Sequence, residues 1–212
     1  HDLYFYADPL DMMEGNVAPP KIFLKASAVL ERQFVAYCMD SWVRRGVSEQ
    51  AIPKNVGTVL GKLENHPADM FPFNFLGYVQ NNLTHLLNSF IQLFVQYLDD
   101  AAKNELKNYA QGDRLKQSPM HMKILEAFEA LKKQRDSLSG SIKQLKDMVT
   151  ELESKPKDSS YEDEIKELKA EQAALINVLK ELNKKDVFNF LSDEGLLPNY
   201  AFPEAGIVLK AV

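Results

Sequence analysis

Apolar residues recur along this chain at helical rather than strand spacing, and the pattern changes character several times. Leu30, Phe34, Val35, Cys38 and Trp42 follow one another on one helical face until Gly46, which predicts an amphipathic helix with Ser27 as its N-cap. From Ser48 to Leu63 the signal weakens: Ile52, Val56, Val59, Leu60 and Leu63 suggest a helix that Pro53, Gly57 and Gly61 interrupt. The loop of residues 65–73 ends it. Leu76, Val79, Leu83, Leu86, Leu87, Phe90, Leu93, Phe94, Tyr97 and Leu98 then form the widest apolar stripe of the first half. This stripe predicts the core helix, continuing through Leu106 until Gly112.

The next stretch has a coiled-coil grammar. Phe128, Arg135, Ile142 and Val149 fall at heptad position a, and Leu131, Leu138, Leu145 and Leu152 at d. A second run places Ile165, Gln172 and Leu179 at a, with Tyr161, Leu168, Leu175 and Leu182 at d. Between them, residues 155–160 (KPKDSS) have the composition that ends one helix and caps the next. If the runs fold back antiparallel, each a should face a d, and facing residue numbers should share one sum. Leu152 with Ile165, Val149 with Leu168, Leu145 with Gln172, Ile142 with Leu175, Leu138 with Leu179 and Arg135 with Leu182 all give 317. The polar Gln172 and Arg135 each face a leucine, a cost in stability that sets register.

After Lys185, Phe188, Phe190 and Leu191 read as the last turn of the returning helix, with Gly195 as its stop. Residues 3–6 (LYFY) and the final GIVLKAV at 206–212 read as short strands. The expected fold is therefore mainly α: a helical body, a long antiparallel coiled-coil hairpin and short β segments at both ends. The body takes residues 1–117, the hairpin 118–185, and residues 186–212 return as a loop and terminal strand.

Charge sharpens this division. The 212 residues carry 25 Lys+Arg and 30 Asp+Glu, a net charge of −5, but 13 of the basic and 13 of the acidic residues fall in the hairpin. Those lysines and glutamates are expected as the solvated b, c, e, f and g positions. The single cysteine, Cys38, excludes an internal disulfide or a cysteine zinc cluster and fits a reducing compartment. No segment has the roughly 18 consecutive apolar residues of a membrane span, and no signal peptide opens the chain. With His1 first and an apolar run last, the expectation is a cytoplasmic piece of a larger protein without membrane contact.

Motifs that carry chemistry are sparse. Residues 57–63 (GTVLGKL) approach a phosphate loop but have three residues between the glycines and a leucine after Lys62, where a Walker A needs four and a Ser or Thr. His1, His66, His85 and His121 are scattered without metal-ligand spacing. Asp8, Asp11 and Glu14 match no calcium loop and read as solvated acids. Cys38 lies on an apolar face, as a structural cysteine does. No catalytic residue and no metal site is expected. Arg32, Arg44, Arg45, Lys54 and Lys62 form a modest basic group and are the candidates for nucleic-acid phosphates. Ordinary surface charge is the competing explanation.

Three stretches are not explained by periodicity: residues 1–20 (HDLYFYADPLDMMEGNVAPP), 26–43 (ASAVLERQFVAYCMDSWV) and 190–212 (FLSDEGLLPNYAFPEAGIVLKAV). Together they resemble the region following the motor domains in very large superfamily-2 DEAD/DEAH-box helicases, the group with a C-terminal zinc-binding domain. In that resemblance the loop from Gly15 to Pro20 leads into the Ala28-to-Gln33 run, and Leu196 to Pro203 returns the chain to the body, with the hairpin as an insertion. The resemblance implies a noncatalytic accessory module of an ATP-dependent DNA or RNA translocase, whose partner is the remainder of the parent helicase. ATP and Mg would belong to the parent motor. The ATP-binding lysine, the metal-binding acidic motif and the zinc cysteines have no counterpart in these residues, so no cofactor is expected here. The alternative from another class is a coiled-coil module that presents its hairpin to a protein partner and has no nucleic-acid role.

Overall fold

A computed structural model of the chain describes residues 26–48, 51–65, 67–112, 117–155 and 159–199. Among these, seven α-helices follow one another: α1 (Ser27–Arg44), α2 (Val56–Leu60), α3 (Phe73–Leu93), α4 (Asp100–Ala110), α5 (Pro119–Glu153), α6 (Ser159–Lys184) and α7 (Val187–Asp193), with a 3-10 turn at Leu63–Asn65. The described residues contain no strand, only an isolated antiparallel bridge between Asn55 and Asp186. This corrects the expected fold class: the molecule is mainly helical, and β segments do not contribute to its described part. The segments expected as strands, residues 3–6 and 206–212, lie outside the described residues, as do His1, the acids Asp8, Asp11 and Glu14, and His66.

The core of the body forms where the apolar faces of α1 and α3 meet antiparallel. Trp42 near the end of α1 lies 5.5 Å from Phe75 near the start of α3, and Phe34 lies 5.4 Å, edge-on, from Phe90 toward the end of α3. Phe34, Phe75 and Phe90 are fully buried, and burial of a side chain of this size contributes roughly 1.5–3 kcal/mol relative to exposure. Cys38 is buried on the same face of α1. Helix α4 adds Ala102, Leu106, Tyr109 and Ala110 to this core.

Local signals misplace three boundaries. Ala26, not Ser27, occupies the N-cap of α1, and no side chain caps that end. The stripe from Leu76 to Leu106 is two helices: α3 stops at Leu93, and Asp99 starts α4 by accepting a hydrogen bond from Ala102 N at 2.9 Å. An N-cap carboxylate satisfies donors that a continuous helix would have bonded itself, so it marks a true start. The third boundary separates α6 from α7 at Lys185 and Asp186. Asp186 caps α7 by accepting from Phe188 N and Asn189 N at 2.9 and 3.1 Å. There the backbone leaves the helix to pair with another segment: Val56 N donates to Lys185 O at 2.9 Å, and Val187 N to Lys54 O at 3.0 Å. Gly195, at φ +69°, ends α7 in the left-handed conformation that favours glycine.

Helix α5 begins inside the body and ends outside it. Ser118 caps it by accepting from His121 N at 3.2 Å, with Pro119 in the first turn. Met120, Ile124 and Phe128 are buried in the common core. The ring of Phe128 lies 5.9 Å from that of Phe71 and 5.0 Å from that of Phe190, so the root of α5 is clamped between the loop before α3 and the returning α7. Leu131 still packs on the body core, and from Lys133 to Glu153 the helix runs beside α6 as a stalk of about 30 Å.

Along that stalk the half-buried positions trace a seam. In α6, from Tyr161 to Leu182, Tyr161, Ile165, Leu168, Gln172, Leu175, Leu179 and Leu182 are half-buried and every other position is exposed. On α5, Leu145 and Val149 are buried, and Leu131, Arg135, Leu138, Ile142 and Leu152 are half-buried. A hairpin of two helices covers each seam residue from one side only, which is why so few are fully enclosed. Gln172 Nε2 donates to Ile142 O at 3.3 Å, at the level of Leu145. Lys169 and Glu153, which share one flank of the seam, meet at 2.7 Å.

Candidate functional site

The structure spreads the five basic candidates rather than collecting them. Arg32 and Arg44 are twelve residues apart on α1, about 18 Å along its axis. Arg32 is half-buried, and its guanidinium packs at the turn that ends α7: a Cβ on Gly195 would sit 3.5 Å from Arg32 Nη2. Arg32 Nε is buried without a hydrogen-bond partner. Arg44 and Arg45 are exposed at the other end of α1, with the Arg45 guanidinium 5.3 Å from the centre of the Tyr78 ring. Lys54 is exposed, and its carbonyl holds the start of α7. Lys62 is exposed just before the 3-10 turn at the stalk root. The group thus occupies both ends of α1 and the base of the stalk.

The glycine-rich run at residues 57–63 has a packing explanation. A Cβ on Gly57 would lie 2.8 Å from Asn183 O and 2.9 Å from Asn183 Cβ, so α2 touches α6 backbone to backbone at the foot of the stalk. Sequence spacing held no sign of this contact, because Asn183 is far along the chain. The helix-forming residues after Gly57 carry Val59, Leu60 and Leu63 into the core rather than shaping a phosphate cradle.

The other titratable candidates are likewise engaged in packing. Burial pushes the Cys38 thiol well above its ordinary range, which removes the thiolate a nucleophile needs. Burial also pushes the Tyr109 hydroxyl upward, with the nearby negative charge of Glu31 adding to the effect. His121, half-buried beside the cap of α5, is held below its ordinary value by desolvation. Among the described residues no group of three or more His, Cys, Asp or Glu side chains is placed to hold a metal ion.

Charge is organised at the stalk root instead. Lys132 Nζ reaches Glu64 of the 3-10 turn at 2.6 Å and Asp136 at 3.0 Å, and Arg135 also bonds Asp136. These contacts raise the Lys132 ammonium, chiefly through Glu64, and lower the Asp136 carboxyl, chiefly through Lys132. On the other side of the body, Lys123 of α5 pairs with Glu31 of α1 at 2.6 Å. Polar ties from two sides thus reinforce the aromatic clamp on Phe128. The Glu64–Lys132 pair borders an open cavity at the stalk root that Leu63, Glu129 and Lys133 also line.

No family model, no curated protein and no solved structure matches the chain. Among the described residues no helix is long and apolar enough to cross a membrane.

Proposed function

We propose that the chain is a noncatalytic accessory module of an ATP-dependent nucleic-acid helicase or translocase, whose body docks on the motor and whose stalk reaches a partner or nucleic acid. The observation that carries the module reading is the root of the stalk: Phe128 is fully enclosed and in ring contact with Phe71 and Phe190. A helix seated in the core couples the direction of its free end to the packing of the body, as a lever requires. The helicase part of the reading rests on the sequence resemblance of residues 1–20, 26–43 and 190–212. In this reading ATP and Mg are bound by the parent motor and not by these residues.

Two measurements test it. The purified chain should release no phosphate from ATP with or without DNA or RNA, and the gene should encode motor motifs upstream of His1. Nucleic-acid-stimulated hydrolysis by the chain alone, or a reading frame without those motifs, overturns the proposal.

A second reading, a coiled-coil module for a protein partner with no nucleic-acid role, is favoured by Met148, Ile176 and Val178, which are about half exposed on the stalk. It requires a partner whose binding is lost when Leu145 and Leu175 are made polar.

A further inference from the structure

The charges of the stalk are sorted by flank. In an antiparallel hairpin the e and b positions of both helices line one side of the seam, and the g and c positions line the other. On the first side lie Lys143 and Lys146 of α5 and Lys166, Lys169 and Lys180 of α6, all exposed. Of these five, only Lys169 has an ion-pair partner among the described residues, Glu153 at 2.7 Å. On the opposite side lie the exposed Glu151, Glu164, Glu167, Glu171 and Glu181. The exceptions lie toward the ends of the rod: Asp136, Glu153 and Glu162 are exposed acids on the first side, Glu153 pairing with Lys169 at 2.7 Å, and Lys155 is a base on the second, pairing with Glu151 at 3.1 Å. Equal numbers of acids and bases in the hairpin therefore conceal a rod whose middle carries lysines along one edge and glutamates along the other.

We propose that the lysine edge of the stalk is a binding surface for the phosphate backbone of duplex nucleic acid, with the glutamate edge turning the rod so that only one side can approach. The proposal rests on the nucleic-acid branch of the function above and moves the contact from the body arginines to the stalk. Lys166 and Lys180 are fourteen residues apart, about 21 Å along α6, with Lys143 and Lys146 of the neighbouring helix between them. That length matches about six base pairs at roughly 3.4 Å per step. A protein partner fits this edge less well, because protein interfaces are depleted in lysine at their centre and built on apolar anchors, and among the described residues Ile176 is the one large apolar side chain exposed on this side. Unpaired lysines that release counterions from a polyanion suit phosphate.

The test is fluorescence anisotropy of a labelled 20-base-pair DNA duplex, and of the same duplex as RNA, titrated with the chain between 50 and 300 mM KCl. Binding should weaken as salt rises, with a log–log slope of about −3 to −5. The combined variant Lys143→Gln, Lys146→Gln, Lys166→Gln, Lys180→Gln should bind at least tenfold more weakly at 100 mM KCl and lose about one unit of slope per lysine. Glu164→Gln, Glu167→Gln and Glu171→Gln together should leave binding equal or tighter. All these positions are exposed, and circular dichroism should show both variants folded. An unchanged affinity in the lysine variant, no duplex binding at 50 mM KCl, or poly-glutamate displacing the duplex at equal charge concentration overturns the proposal. Loss of binding in Arg44→Gln, Arg45→Gln with full binding in the lysine variant returns the contact to the body. Absence of motor motifs in the gene would remove the helicase role and leave this result standing.

Discussion

Gly57 and Asn183 lie in backbone contact across the foot of the stalk, leaving no room for a Cβ between them: one built on Gly57 meets Asn183 O at 2.8 Å. The contact joins a short helix of the body to the last turn of the returning stalk helix. It gives the first glycine of the 57–63 run a structural task that has nothing to do with phosphate.

Gly57→Ala is therefore expected to destabilise the chain by about 1–3 kcal/mol, the usual cost of forcing atoms into filled space. Gly61→Ala meets only Gly57 O at 3.4 Å and Thr58 O at 3.8 Å, at a φ of −65° that alanine accepts. It should be neutral or stabilising by roughly 0.5–1 kcal/mol. Urea unfolding followed by circular dichroism separates the two, and equal effects at both positions would refute the packing explanation.

Removing the clamp should differ from weakening the seam. Phe128→Ala empties a fully buried site and is expected to cost about 3–5 kcal/mol. Leu138→Ala, half-buried where only one helix covers it, should cost nearer 1–2 kcal/mol. Trp42 is enclosed in the body against Phe75, so its fluorescence reports on the body alone. It should respond to the Phe128 variant and stay native-like in a Leu145→Lys, Leu175→Lys variant that frays the stalk, while circular dichroism records lost helix there.

The start of α4 is capped by one carboxylate. Asp99→Ala leaves Ala102 N without its acceptor and is expected to cost about 1 kcal/mol. Asp99→Asn should recover most of it, since the amide oxygen accepts the same bond. Melting temperatures of the two variants decide whether the cap's hydrogen bond, rather than its charge, stabilises the start of α4.

Acid should weaken the fold through His121. Burial lowers its folded value below the ordinary 6.5 or so, so below that pH the unfolded chain binds more protons and stability falls. The sensitivity begins as pH drops through about 6.5 and ends below the folded value. His121→Gln should flatten that part of the stability profile measured by urea unfolding from pH 7.5 to pH 5, and an unchanged profile would place the sensitivity elsewhere.

How far the candidate site could be read from residues alone follows from the distances involved. The basic candidates on the body share only their charge, and charge says nothing about where a side chain packs; Arg32 is held against Gly195, more than 160 positions along the chain. The sorted edges of the stalk were present in the heptads from the start, but treating every outer position as one solvated sheath concealed them. Lys143, Lys146, Lys166, Lys169 and Lys180 share the b and e flank, and Glu151, Glu164, Glu167, Glu171 and Glu181 the c and g flank.

The sequence by itself determined the elements whose form depends on near neighbours. The seam of the stalk repeats every seven residues, each of its two helices carries its own stripe, and only five residues separate them along the chain, so periodicity suffices. The apolar faces of α1 and α3 were legible for the same reason. Tertiary structure alone decided where the helices break and what the glycines do. Residues 54–56 pair with 185–187 and split α6 from α7, Phe128 is held between Phe71 and Phe190, and Gly57 admits Asn183. Each of these is a contact between distant segments, set by which surfaces fill space together, and local hydrophobic spacing carries no record of that choice.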